Sequence, residues 1–152
     1  AVHDGAVVLC PREPEVGYVY QKLIESRCGD GMVMDLRIHV FGNTVPFVTR
    51  RTKHTTDRFD ETIGAEIVTT DSALTSEEVA QTLAFCHALG LDYGELDALR
   101  SDEDGKLYLV DANNTPAGPI GPLHLDPVAF AHWHTLMGTS LEHLRNLFGT
   151  EE

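Results

Sequence analysis

Long apolar runs are missing from this 152-residue chain: no stretch of about eighteen hydrophobic residues could serve as a membrane-spanning helix. Basic charge is also scarce. Eleven Lys and Arg stand against 24 Asp and Glu, a net charge of −13, which repels phosphate backbones and anionic lipid over most of the surface and argues against nucleic-acid and membrane partners. Cysteine is too rare for a disulfide framework. Cys10, Cys28 and Cys86 are odd in number and share no metal-type spacing, and "AVHDGAVVLC" at the N-terminus lacks the basic and then apolar pattern of a secretory signal. A reducing cytoplasm is the expected location. Internal repeats and low-complexity segments are absent too. What remains, 42% hydrophobic and 23% charged, is the composition of one globular domain.

The first half reads as strands: "AVVLC" (6–10), "GYVYQKLI" (17–24) and a hairpin over 35–51 turning at Gly42-Asn43, where a positive φ suits glycine. With Phe41 facing Thr44, the register places Leu36, Ile38 and Val40 on a core face with Val45, Phe47 and Thr49. The other face then carries Asp35, Arg37, His39 and Arg50, with Asp35 across from Arg50. Residues 52–64 show no period and read as a loop before a short strand at 65–69. Thr75 and Glu78 form a capping box that opens a helix closed by Gly90. A second hairpin spans 94–113. The final helical region begins at Asp126-Pro127, with a stripe of Phe130, Trp133, Met137, Leu141, Leu144 and Phe148 and an expected break at Gly138. The fold class expected is α+β: an antiparallel sheet of about five to seven strands with helices packed on one face.

The second hairpin carries the chemistry. A three-residue loop at 103–105, closed by Gly105 in the left-handed region, sets Asp97 opposite Asp111 and turns Asn113 to the same face. Two facing carboxylates repel unless a cation or a proton lies between them. Asp97, Asp111 and Asn113 form an all-oxygen set suited to Mg²⁺. Spacing alone favours a plain solvated strand end over a metal site; the surrounding motifs shift that balance. Arg50, Arg51, Lys53 and Arg58 concentrate positive charge in an acidic chain, which suits an anionic ligand or equally a solvated loop.

In order, "VYQKLI", the Asp35-Leu36-Arg37 strand and "LGLDYGELDALRSDEDGKLYLVDANNTP" resemble the C-terminal half of ATP-grasp carboxylate–amine ligases, over roughly residues 17–119. The resemblance implies metal ligation by Asp97, Asp111 and Asn113, with Asp111 standing where glutamate is usual. It implies that Arg37 steadies the transferring phosphoryl group, and Arg50 joins it as a catalytic candidate. Gln21, Lys22, Leu23 and Ile24 would meet adenine through their backbone. The cofactors implied are ATP and Mg²⁺, and the substrates a small-molecule carboxylate and an amine joined through an acyl phosphate. The chain is expected to be a single domain, the C-terminal part of a longer ligase whose N-terminal region or partner chain is missing. The alternative is a nucleotide- or metal-binding module without ligase activity.

Overall fold

A computed structural model describes residues 16, 20–57, 62–115 and 127–148. The architecture is α+β. Six antiparallel strands, β1 (Arg27–Gly29), β2 (Met32–Phe41), β3 (Val48–His54), β4 (Gly64–Val68), β5 (Tyr93–Arg100) and β6 (Leu107–Asn113), form one sheet in the order β4-β3-β2-β5-β6, with β1 also on β2. Three α-helices, α1 (Thr70–Ala73), α2 (Ser76–Leu89) and α3 (Pro127–Leu147), and a single 3-10 turn at Thr55–Asp57 complete the described elements. The expected strand at 6–10 lies outside the described residues. Residues 20–26 are not strand; they run beside the sheet, Asp102 N donating to Glu25 O and Met34 N to Ser26 O.

The first hairpin turns where expected. Phe41 and Thr44 exchange backbone hydrogen bonds at 3.0 and 3.1 Å around Gly42, whose φ is 59°. The ladder beyond it is one residue out of the expected register: Ile38 pairs with Val48, Leu36 with Arg50 and Asp35 with Arg51. Pro46 supplies the reason. It has no N–H to give to a ladder, so the chain spends one extra residue between Thr44 and Val48 before pairing resumes. Because side chains alternate, that single step moves Phe47, Thr49 and Arg51 to the face of Asp35, and Arg50 to the face of Leu36.

Leu36, Ile38, Val40, Val48, Leu96 and Ala98 make the core face, covered by Cys86, Val79 and Leu83 of α2 and by Leu74. The capping box is present: Thr75 Oγ1 accepts from Glu78 N at 3.2 Å and Thr75 N donates to Glu78 Oε2 at 2.8 Å, while Gly90 ends the helix at φ 68°. Arg100 of β5 then forks onto Glu78 at 2.7 and 3.0 Å and donates to Ala73 O at 3.1 Å, tying the start of α2 to the sheet.

α2 thus takes the expected face, whereas α3 packs against the other, where Trp133 and Met137 meet Phe41 and Phe47. α3 is also one unbroken helix through Gly138. The hydroxyls of Thr139 and Ser140 donate back to the carbonyls of Thr135 (3.1 Å) and Leu136 (2.7 Å) instead of capping a new helix, and burial of Met137 offsets the roughly 1 kcal/mol cost of an internal glycine. Leu141 and Phe148 of the expected stripe are exposed, and Leu136 packs in their place.

Candidate functional site

The face of the sheet opposite α2 is mostly charged. Pairing across β3, β2 and β5 sets Lys53, Arg51, Asp35, Arg37, Asp97, His39 and Glu95 on one side, three cations against three acids with a histidine. Arg51 lies at the centre, its side chain 7% exposed, donating through Nε to Asp35 Oδ1 and reaching Asp97 Oδ2 through Nη2 at 2.8 Å. Lys53 Nζ sits 3.0 Å from Asp35 Oδ2. Burial works against the charge of Arg51, but Asp35 and Asp97 outweigh it and raise its pKa further.

Arg37 is less enclosed, at 23%. It donates to Asp97 through Nε (3.0 Å) and Nη2 (3.3 Å), while Nη1 lies 3.2 Å from Glu95 Oε2. Burial raises the pKa of Asp97, yet the Arg37 hydrogen bonds and the Arg51 charge prevail and hold it below the usual carboxylate value. The expectation that the facing acids would drive a proton onto one of them is corrected here for Asp97, because two guanidinium groups supply the compensating charge.

Glu95 is the most enclosed acid. His39 Nδ1 lies 3.3 Å from its Oε1, and His39 Nε2 shares a hydrogen bond of 3.0 Å with Thr49 Oγ1 while the ring stacks on Phe47. These contacts with Glu95 are close but poorly aligned, so Glu95 Oε2 and His39 Nδ1 are buried without a hydrogen-bond partner.

The metal-ligand candidates meet as expected, by a different route. Arg100 pairs with Leu107 and Ala98 with Leu109, a register one residue off that expected from the turn; a bulge at Val110 then restores it, so Asp97 faces Asp111 and Glu95 faces Asn113. Gly105 holds φ 69° in the turn, as foreseen. At Gly94 a side chain would stand 2.6 Å from Asn113 O, so glycine is what lets β6 close against β5 here. Asp111 is exposed, and Asn113 Oδ1 accepts from Thr115 N at 2.9 Å. Among the described residues no group of three His, Cys, Asp or Glu forms a metal cage; the set offered is two carboxylates and an amide. In kind it fits a hard cation, since all its donors are oxygen.

Arg50 is not brought to this face. It donates to Ser72 O at 2.8 Å and pairs with Glu66 at 3.7 Å on the helix side of the sheet. Gln21, Lys22 and Leu23 are exposed and Ile24 is buried. Lys22 bonds Glu103 at 3.2 Å and lies 5.6 Å from the ring of Tyr108, which pairs with Leu99 and so shares the face of Asp97. The sequence singled out Arg51 and Lys53 only as part of a basic cluster and His39 only as a member of the polar sheet face, and it gave Glu95 no role. The alternation Asp35, Arg37, His39, continued across a register one residue further on, is the signal that picks them out.

No family model and no curated protein sequence matches the chain. Among solved structures, the ATP-grasp ligase PsnB complexed with a minimal precursor superposes with a TM-score of 0.49 at 14% identity, over 79% of this chain and 37% of that one. PsnB complexed with a phosphomimetic variant of the minimal precursor, Mg and ADP gives 0.45 at 18%, over 70% and 33%. The macrocyclase MdnC bound with precursor peptide MdnA from Microcystis aeruginosa MRC gives 0.43 at 19%, over 69% and 33%. The chain therefore spans about a third of the length of these structures.

Proposed function

We propose that the charged face is the nucleotide and cation site of an ATP-dependent carboxylate–amine ligase, and that the chain is the C-terminal, ATP- and Mg²⁺-binding portion of that enzyme. One observation carries the reading: Asp35 and Arg37, Asp97, and Asp111 and Asn113, from separate stretches of the sequence, stand side by side on one face of β2, β5 and β6. Asp97, Asp111 and Asn113 would hold Mg²⁺, which supplies charge neutralisation at the polyphosphate. Arg37, partly open and already presenting guanidinium N–H groups to anionic oxygen, is the residue to stabilise charge on the transferred phosphoryl group. The second anion-facing role, expected of Arg50, passes to Arg51 in this reading, because Arg51 is the one that shares the face of Arg37. The segment Gln21, Lys22, Leu23, Ile24 borders the same face at the β5–β6 turn and offers backbone groups to a base.

The chemistry asks the protein for charge stabilisation and exclusion of water, not for a nucleophile. A carboxylate takes the γ-phosphoryl group to give an acyl phosphate, and an amine then displaces phosphate from it. The test is thermal unfolding of the chain with Mg²⁺-ADP against chelator. Saturation at ten times Kd stabilises by about 1.4 kcal/mol, about 3–6 °C for a chain of this size. A melting temperature unmoved by millimolar Mg²⁺-ADP or Mg²⁺-ATP rejects the reading.

A further inference from the structure

The mechanism sketched above leaves one buried group unused. Glu95 is 4% exposed, its Oε2 accepts no hydrogen bond, and Arg37 Nη1 waits 3.2 Å away while the rest of that guanidinium is committed to Asp97. A buried carboxylate oxygen in charge contact but without a hydrogen bond is costly to keep, and one beside a guanidinium whose hydrogen bonds go elsewhere is an acceptor held in reserve. The ring of His39, fixed between Thr49 and Phe47, stands 3.3 Å from the other oxygen and fills the space into which the buried Glu95 side chain would turn. Movement is left to the longer, more exposed arginine.

We propose that Glu95 is a second seat for Arg37: when the carboxylate of Asp97 is otherwise engaged, the guanidinium shifts onto Glu95 and stays on the face instead of being released to solvent. Glu95 is thus a positioning residue, acting through Arg37. The inference rests on the proposed function only for the identity of what engages Asp97; the geometry stands without it.

Hydrogen exchange of the Arg37 guanidinium protons, followed by nitrogen-resolved NMR of the full chain and assigned by their loss in Arg37→Lys, tests the two seats without nucleotide or metal. Asp97→Ala removes the first seat, Glu95→Leu the second. Each alone should speed exchange by no more than about threefold, and both together by about tenfold or more, the factor set by losing the last charge-assisted hydrogen bond. If Asp97→Ala alone exchanges as fast as the double variant, Glu95 is a packing residue and the proposal is overturned. Where these variants fail to fold, Asp97→Asn and Glu95→Gln keep the shape and an acceptor oxygen but remove the charge assistance, and the same ordering, with the double variant fastest, is expected; Asp97→Asn alone exchanging as fast as the double variant overturns the proposal equally. Failure here leaves nucleotide binding untouched, and failure of nucleotide binding leaves this result standing.

Discussion

Asp97 and Asp111 face each other across β5 and β6, but their carboxylates are not equivalent: Asp97 is gripped by Arg37 and Arg51, while Asp111 is exposed and has no bonding partner among the described residues. The cluster is therefore already balanced on one side and open on the other. Asp111→Asn should change stability in chelator by no more than about 0.5 kcal/mol, as for an ordinary surface position, while reducing stabilisation by Mg²⁺-ADP. Melting temperatures of wild type and variant under both conditions make the comparison. Equal loss in both would return Asp111 to a plain strand end.

Asp97 should behave in the opposite way. Asp97→Asn strips one partner from two arginines, one of them buried, and should cost about 3 kcal/mol at pH 7. Since the folded pKa of Asp97 is lowered, its contribution is fully present above the unfolded value near 4 and is lost as pH falls through the folded one. Urea unfolding at a series of pH values should show the two proteins converging below about pH 4. A gap constant with pH would mean that the side chain acts by packing alone.

The register makes a direct prediction about neighbouring arginines. Arg51→Met leaves Asp35 and Asp97 short of a buried partner and should cost about 3–5 kcal/mol, whereas Arg50→Met, on the half-open helix side, should cost about 1 kcal/mol or less. Denaturant midpoints decide it. The reverse ranking would restore the pairing of Asp35 with Arg50.

Glu78 joins the cap of α2 to Arg100, and the Arg100 hydrogen bond, opposed by burial and aided by Thr75, holds its pKa below the usual value. Glu78→Gln should cost about 1–2 kcal/mol at neutral pH. The sign follows as for Asp97: the advantage of the wild type is present above the unfolded pKa and fades as pH drops through the lowered one. Thermal melts at pH 7 and pH 3 should show the difference shrinking.

Local signals were legible wherever a residue type dictates a backbone geometry. Gly42, Gly105, Gly90 and the Thr75–Glu78 box each fell where expected, because a positive φ or a cap is decided within a few residues. What failed was long-range counting. A proline three residues beyond a turn shifts a ladder by one, and one step exchanges the two faces, so Arg51 and Arg50 changed places. The facing of Asp97 and Asp111 was anticipated from a turn of slightly different length, with the bulge supplying the missing residue. Gly138 misled because glycine followed by Thr and Ser marks a helix boundary only if nothing packs across it.

The bulge at Val110 also divides the second hairpin into two independently adjustable parts. On its turn side, Leu107 and Leu109 belong beneath α2; on its far side, Asp111 and Asn113, with the same sequence parity, belong to the opposite surface. Variation in residues 101–106 need not travel into the acids, because the irregular step absorbs it. A library of grafted turns of the same length and exit geometry should therefore be tolerated as interchangeable cassettes. A second residue inserted after Val110 would instead turn Asp111 and Asn113 inward among leucines, and the hairpin would lose its chemistry while keeping its composition.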